Sequence, residues 1–297
     1  MRASEPRVAV VIVTRNRVSD LLRTLARLCA LPEKTKVVVV DNASSDGTAE
    51  VVRRRHPGVE VISLGENLGG AGRNVGVKRV ETPYVAFSDD DSWWEPGALR
   101  RAADLFDAHP RLALLVGRIL VGPREKEDPI CAEMEQSPLP AEPDLPGPPV
   151  LGFLACATIV RRSAYLEVGG FDPRMMIGGE EELLAADLAS AGWGLAYVGD
   201  VVAHHYPSTI RDPRSRRRSA VRNALWFAWL RRPASTALGH TLRVLGEALR
   251  DADARAGLIE ALRSLPWALR NRRVVPFHVE GRLRMLDRKT GLRSLTG

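Results

Sequence analysis

From residue 8 to residue 121 this chain alternates short aliphatic runs with amphipathic segments, and no other feature restricts its fold as strongly. Apolar runs at 8–13, 36–40, 59–64 and 84–87 are each followed by a stretch of helical spacing, at 19–30, 47–55, 70–80 and 96–108, and a fifth run covers 112–121. The runs are almost unbroken Val, Ile and Leu, so the strands they form must be covered on both faces. The pattern predicts an α/β fold with a mainly parallel sheet and helices on both sides. Sheets of this kind bind ligands at the carboxyl ends of their strands.

The polar clusters of this region fall at those ends. The first run ends in Thr14-Arg15-Asn16-Arg17, and the second in Asp41-Asn42-Ala43-Ser44-Ser45-Asp46-Gly47-Thr48. The third leads to Glu66-Asn67-Leu68-Gly69-Gly70-Ala71-Gly72-Arg73-Asn74. The fourth ends in Asp89-Asp90-Asp91. Singly, such clusters cap helices or turn the chain; four on one sheet edge point to a ligand. Asp41, directly after four valines, suits a base N–H or a ribose hydroxyl. In an extended chain Asp89 and Asp91 share one face and grip a hard cation such as Mg²⁺ or Mn²⁺, while Asp90 points away.

The glycine loop falls short of a dinucleotide fingerprint. That motif belongs in the first strand-to-helix turn, whereas Gly70-Ala71-Gly72 lies in the third, with Gly76 one residue late. No P-loop motif occurs. The loop does allow backbone N–H groups and Arg73 to approach a nucleotide's phosphates.

Residues 122–149 are rich in Pro and Glu and read as a mobile excursion over the active edge. Regularity returns at 150–160, followed by Gly169-Gly170-Phe171-Asp172 and by Gly179-Glu180-Glu181-Glu182 at the start of a helix. Glutamates in a first helical turn are favoured by the helix dipole; the functional reading makes one a general base. His204-His205, closing the last strand of this region, either serve structure or complete a metal shell begun by Asp91.

Charge is unevenly placed. From residue 207 onward 20 Lys and Arg stand against 7 Asp and Glu, leaving 23 against 29 before it, so a mildly acidic body precedes a basic tail. Three scattered cysteines form neither a zinc spacing nor a disulfide framework. Residues 1–7 carry no apolar signal core, and the run at 150–160 is short of the ~20 residues of a spanning helix. A cytoplasmic protein is expected.

The order of these motifs resembles the family 2 nucleotide-sugar glycosyltransferases of GT-A fold, in particular a rhamnosyltransferase-like bacterial subgroup. The resemblance runs from about Arg7 to Pro207. It rests on Val11-Ile12-Val13-Thr14-Arg15-Asn16, the Asp41 cluster, Asn67 to Gly76, the aspartate triplet as a DXD motif, Gly169-Gly170-Phe171-Asp172 and Gly179-Glu180-Glu181. It implies a catalytic domain over 1–206 and a basic helical extension over 207–297. It further implies that Asp41 contacts the nucleobase and that Thr14, Asn16, Asn67, Gly69 and Arg73 line the nucleotide pocket. Asp89 then touches ribose or metal beside Asp90, Asp91 ligates Mn²⁺ or Mg²⁺, and the pair Glu180-Glu181 supplies the base. The family usually has Glu-Asp there, whereas this chain has three glutamates followed by Leu183-Leu184, which leaves the choice among them open.

The implied activity is metal-dependent, inverting transfer of a sugar from a nucleotide-diphosphate sugar to the hydroxyl of a small molecule, a glycan or a lipid-linked saccharide. A sugar-1-phosphate nucleotidylyltransferase would carry a basic Gly-rich loop after the first strand, where this chain has no glycine. A nucleotide-sugar-binding protein without turnover would have no use for the acidic cluster at 180–182. In the tail, Trp226 and Trp229 share a helical face and suit a packed subdomain; its basic amphipathic stretches also suit peripheral contact with the inner face of a membrane. No nucleic-acid reader motif is present, and a homodimer is compatible with the sequence.

Overall fold

The computed structural model describes residues 6–208 and 213–289. Strands β1 (Val8–Thr14), β2 (Lys36–Asp41), β3 (Glu60–Ser63) and β4 (Tyr84–Asp89) form a parallel half-sheet in the order β3-β2-β1-β4. Helices α1 (Val18–Cys29), α2 (Thr48–Arg55) and α3 (Gly72–Arg79) connect them. Val8 through Ile12 are at most 4% exposed, which accounts for the unbroken aliphatic run: this strand has no solvent face. Helix α1 turns Leu21, Thr24, Leu25 and Leu28 inward and leaves its polar side outside.

The second half contains β5 (Ser92–Trp94), α4 (Ala98–Ala108), β6 (Leu112–Val121), β7 (Lys126–Glu127), α5 (Pro129–Glu135), β8 (Thr158–Arg161), α6 (Arg162–Glu167), α7 (Glu180–Ser190) and β9 (Gly194–His205). The sheet continues β4-β8-β6-β9-β5. Here parallel pairing gives way: β6 and β9 run parallel, but β8 opposes both β4 and β6, β5 opposes β9, and β7 folds back on β6.

Only the start of residues 122–149 stays at the carboxyl edge, where the Gly122 N–H donates to His205 O at 2.9 Å and Glu125 lies 3.5 Å from His204. After β7 and α5 the segment runs back to the opposite end of the sheet, where Pro149 bridges Ala196 and the Val150 N–H donates to Leu195 O at 3.1 Å. Cys131, Met134, Leu139 and Leu145 are buried, and Arg111 holds both Glu142 and Asp144. Prolines set the path of this segment, and buried side chains hold it in place.

The tail folds into α8 (Pro213–Arg231), α9 (Ala234–Ala248), α10 (Ala252–Arg263), α11 (Leu265–Arg270) and α12 (Phe277–Lys289). Trp226 is buried edge-on against Trp267, and Trp229 donates to Thr241 at 3.0 Å, so both indoles pack internally. Arg232, 2% exposed, is held by Glu280 at 2.6 Å and Asp287 at 2.8 Å, which fastens α12 to the end of α8. Arg231 grips Asp187 on α7 and joins this helical group to the sheet. Among the described residues no helix is long and apolar enough to cross a membrane.

Gly76 lets α3 lie on β1: a Cβ there would meet Val11 Cγ1 at 2.4 Å, on a β-branched side chain with no room to move. Gly76→Ala should therefore lower unfolding stability by about 1–3 kcal/mol despite alanine's helix propensity. Gly239→Ala, in open space on α9, should raise it by up to about 1 kcal/mol. Urea denaturation of both variants checks the opposite signs.

Candidate active site

The register of the half-sheet brings three expected residues to one level, since Thr14 pairs with Asp41 and Val13 with Asp89. Beneath them the loop-to-loop hydrogen bonds hold the edge together. Asn16, at φ +54°, accepts from the Ser45 N–H at 2.7 Å through Oδ1, while its own N–H donates to Ser44 Oγ at 2.9 Å. Asp41 is buried and accepts from the Ser44 N–H at 3.2 Å. Asn67 accepts from the Gly69 N–H at 3.0 Å and shapes the glycine turn. Asn42, given no role by the sequence reading, is buried and donates to Gly69 O at 3.0 Å, tying the second loop to the third.

The aspartate triplet does not present Asp89 and Asp91 as one extended pair. Strand β4 ends at Asp89 and the chain turns through Asp90 and Asp91 before β5, which is drawn away by pairing with β9. Asp89 is bonded by Arg73. Asp90 points inward, accepting from Thr14 Oγ1 at 3.0 Å and Arg17 Nη1 at 3.1 Å, and burial pushes its pKa up to about 7 despite Arg17. Asp91, 2% exposed, accepts from the Ser208 N–H at 2.9 Å and lies 3.4 Å from His205 Nε2. Burial works against its charge, but His205, the Ser208 amide and Arg17 outweigh it and hold its carboxyl below the usual range.

The two histidines part company, as neighbours on a strand must. His205 meets Asp91, whereas His204 stacks on Trp93 with centroids 5.7 Å apart and places Nδ1 3.5 Å from Glu125. His204 is therefore no partner of Asp91. Among the described residues no group of three or more His, Cys, Asp or Glu side chains is arranged to hold a metal ion.

Arg73 is the centre of the edge. It is 7% exposed, bonded to Asp89, and lies over Phe171 at 5.6 Å and Phe87 at 5.9 Å. Burial opposes its charge, yet Asp89, Glu181 and Glu180 together hold its pKa above the ordinary guanidinium value. The Gly169-Gly170-Phe171 motif builds the floor beneath it. Phe171 N–H donates to Asn74 Oδ1 at 3.0 Å, and Asn74 Nδ2 returns a bond to Phe171 O at 2.8 Å.

The glutamates open α7, behind Gly179 at φ +90°. Glu180 is buried against Gly70, so closely that a Cβ on Gly70 would lie 3.0 Å from its Oε1. Burial and then the neighbouring Glu181 push its pKa up, and burial likewise raises that of half-buried Glu181. Glu182 is exposed on the other side of the helix turn. Glu180 and Glu181 therefore face the arginine.

A contact that the sequence reading missed holds this acid pair in place. Asn223 of α8, fully buried, donates through Nδ2 to Met175 O at 2.7 Å, to Ile177 O at 3.3 Å and to Gly178 O. The far side of the same loop accepts from the glycine turn, with the Gly70 N–H donating to Met176 O at 2.6 Å. The one hint in the sequence was a lone amide ahead of Ala224-Leu225-Trp226-Phe227.

The sequence model of glycosyl transferase family 2 matches residues 9–169. The chain is 29% identical to an N-acetylglucosaminyl-diphospho-decaprenol L-rhamnosyltransferase of Mycobacterium tuberculosis, over 69% of this chain and 78% of that protein. It is 35% identical to a pre-mycofactocin glycosyltransferase of the same organism, over 69% of this chain but 44% of the relative. In structure it is similar to the mannosyltransferase PcManGT from Pyrobaculum calidifontis, solved with GDP-Man and Mn²⁺, with a TM-score of 0.57, 21% identity, and coverage of 97% of this chain and 76% of that one. That likeness shows the GT-A fold. With the family model spanning more than half of its length, this chain belongs to glycosyl transferase family 2 and is a glycosyltransferase.

Proposed function

We propose that the chain transfers a sugar from a nucleotide-diphosphate donor to an acceptor hydroxyl in one inverting displacement. The observation that carries this reading is the buried Arg73 flanked by Asp89 and by the Glu180–Glu181 pair. A fixed cation beside two carboxylates of raised pKa supplies what the reaction needs: a diphosphate leaves and a hydroxyl proton must be taken.

In this reading Arg73 and the N–H groups of the glycine turn bind the diphosphate, and Asp41 takes a donor N–H or hydroxyl from the nucleoside. Glu181, the more open of the pair, deprotonates the acceptor oxygen as it attacks the anomeric carbon from the face opposite the diphosphate. Glu180 sets the position of Glu181 by packing on Gly70. Asp91 and His205, an oxygen and a nitrogen donor 3.4 Å apart, are the residues that would hold a divalent cation. When bound, Mn²⁺ or Mg²⁺ would add charge neutralisation at the leaving group. The name of the rhamnosyltransferase relative supports a 6-deoxyhexosyl donor and a lipid-linked saccharide acceptor, and an enzyme meeting such an acceptor would work at the surface of a membrane.

Glu181→Gln should lower kcat by about 10²–10⁴-fold while nucleotide binding persists. A base must be ionised, and the pKa of Glu181 is raised; kcat/KM of the wild type should therefore fall on the acid side with an apparent pKa above the usual ~4.3 of glutamate. A flat acid limb, or a Glu181→Gln variant of unaltered kcat, contradicts the assignment.

Asn223→Ala removes the amide that bonds three carbonyls of the loop ahead of the acid pair, leaving only Arg222 on that of Met175. It should reduce kcat by more than tenfold, since a displacement of about 1 Å costs that much or more, with KM for the donor little changed. Steady-state kinetics beside a melting curve separates this from simple unfolding.

A further inference from the structure

Helix α9 turns an uncharged face to solvent. Leu238, Leu242, Leu245 and Leu249 follow one another at helical spacing and are each about half exposed or more, Leu249 reaching 79%. The other exposed positions from Ala234 to Leu249 are Ala, Ser and Gly, so no charge interrupts the stripe before Arg250. Continuous leucine on an outer helix face is uncommon in a chain that stays in water.

The charges around it are sorted. Of the four acidic residues on α9, α10 and their connection, Glu247, Asp251 and Glu260 are turned inward to Arg217, Arg218 and Arg222 of α8, while Asp253, in the first turn of α10, is half-buried. The arginines that remain outside stand next to exposed apolar residues, as Leu249-Arg250, Leu262-Arg263, Leu269-Arg270 and Arg273-Val274. None of these four arginines has an acidic partner among the described residues. An arginine beside an outward leucine fits an interface where the apolar side chain enters hydrocarbon and the guanidinium stays at the level of phosphate.

We infer that the outer face of α9–α11 is a docking surface for an anionic lipid bilayer. Exposed leucines that follow one another on α9, with exposed arginines directly beside outward apolar residues at 249–250, 262–263 and 269–270, are complementary to acyl chains beneath phosphate headgroups. A second copy of the chain is a poorer occupant: a twofold contact would set these arginines against their own equivalents, with Glu247, Asp251 and Glu260 already engaged. Trp226 and Trp229 are packed inside, as their shared helical face implied, and take no part. The inference is independent of the donor-site chemistry.

The test is flotation of the purified full-length chain with phosphatidylcholine vesicles, with and without phosphatidylglycerol, in the absence of any sugar nucleotide. Binding is expected only with phosphatidylglycerol and should weaken as salt is raised. Leu242→Glu/Leu245→Glu, at exposed positions, should reduce it by at least about tenfold, and Arg250→Gln or Arg263→Gln by about fivefold each. Light scattering on the same samples reads the oligomeric state. Absence of binding to anionic vesicles, binding unaltered by both sets of changes, or a dimer dissociated by the leucine variant would each overturn the inference. Vesicle binding is read without turnover, so failure of the catalytic proposal leaves this result interpretable.

Discussion

Burying a guanidinium is costly unless carboxylates surround it, and Arg73 at the carboxyl edge of the sheet imposes that condition on everything nearby. Asp89 answers it from β4 and the Glu180–Glu181 pair from α7, while Phe87 and Phe171 exclude water below. The same burial in turn raises the pKa of both glutamates. One buried cation thus links the end of a strand, the start of a helix and a glycine turn that are far apart in the chain.

The backbone makes this arrangement firm. Gly69, at φ +57°, comes so near the 175–178 loop that a Cβ would sit 2.5 Å from Met176 O. From the other side Asn223 satisfies the carbonyls of that loop. The acid pair is therefore clamped between the parallel half-sheet and the helical tail. This gives the tail a part in positioning the site, and the Arg231–Asp187 pair holds the two together further along α7.

Much of the first half was readable from residues alone, because strands with no solvent face leave an unbroken aliphatic record and their polar ends stand out against it. Asp41, Arg73 and Asp89 lie at that edge, as the pattern implied. What the pattern missed depends on distant pairings. The turn that separates Asp89 from Asp91 is set by β5 joining β9, more than a hundred residues later. The split of His204 from His205 follows from strand alternation once β9 is known to extend through both. Proline content suggested a loose excursion at 122–149, yet Arg111 and a glycine at 194, whose missing side chain admits Leu145, anchor it. Asn223 had no motif around it at all.

The central claim is that Arg73 receives the diphosphate of a sugar nucleotide. Calorimetric titration of UDP-, dTDP- and GDP-sugars with Mn²⁺ into the wild type and into Arg73→Met tests it most directly. The account predicts binding of one nucleotide class, weakened about 10–100-fold in the variant, as loss of charge-assisted hydrogen bonds requires. Equal affinity in a folded variant, or no binding of any sugar nucleotide to the wild type, would contradict it.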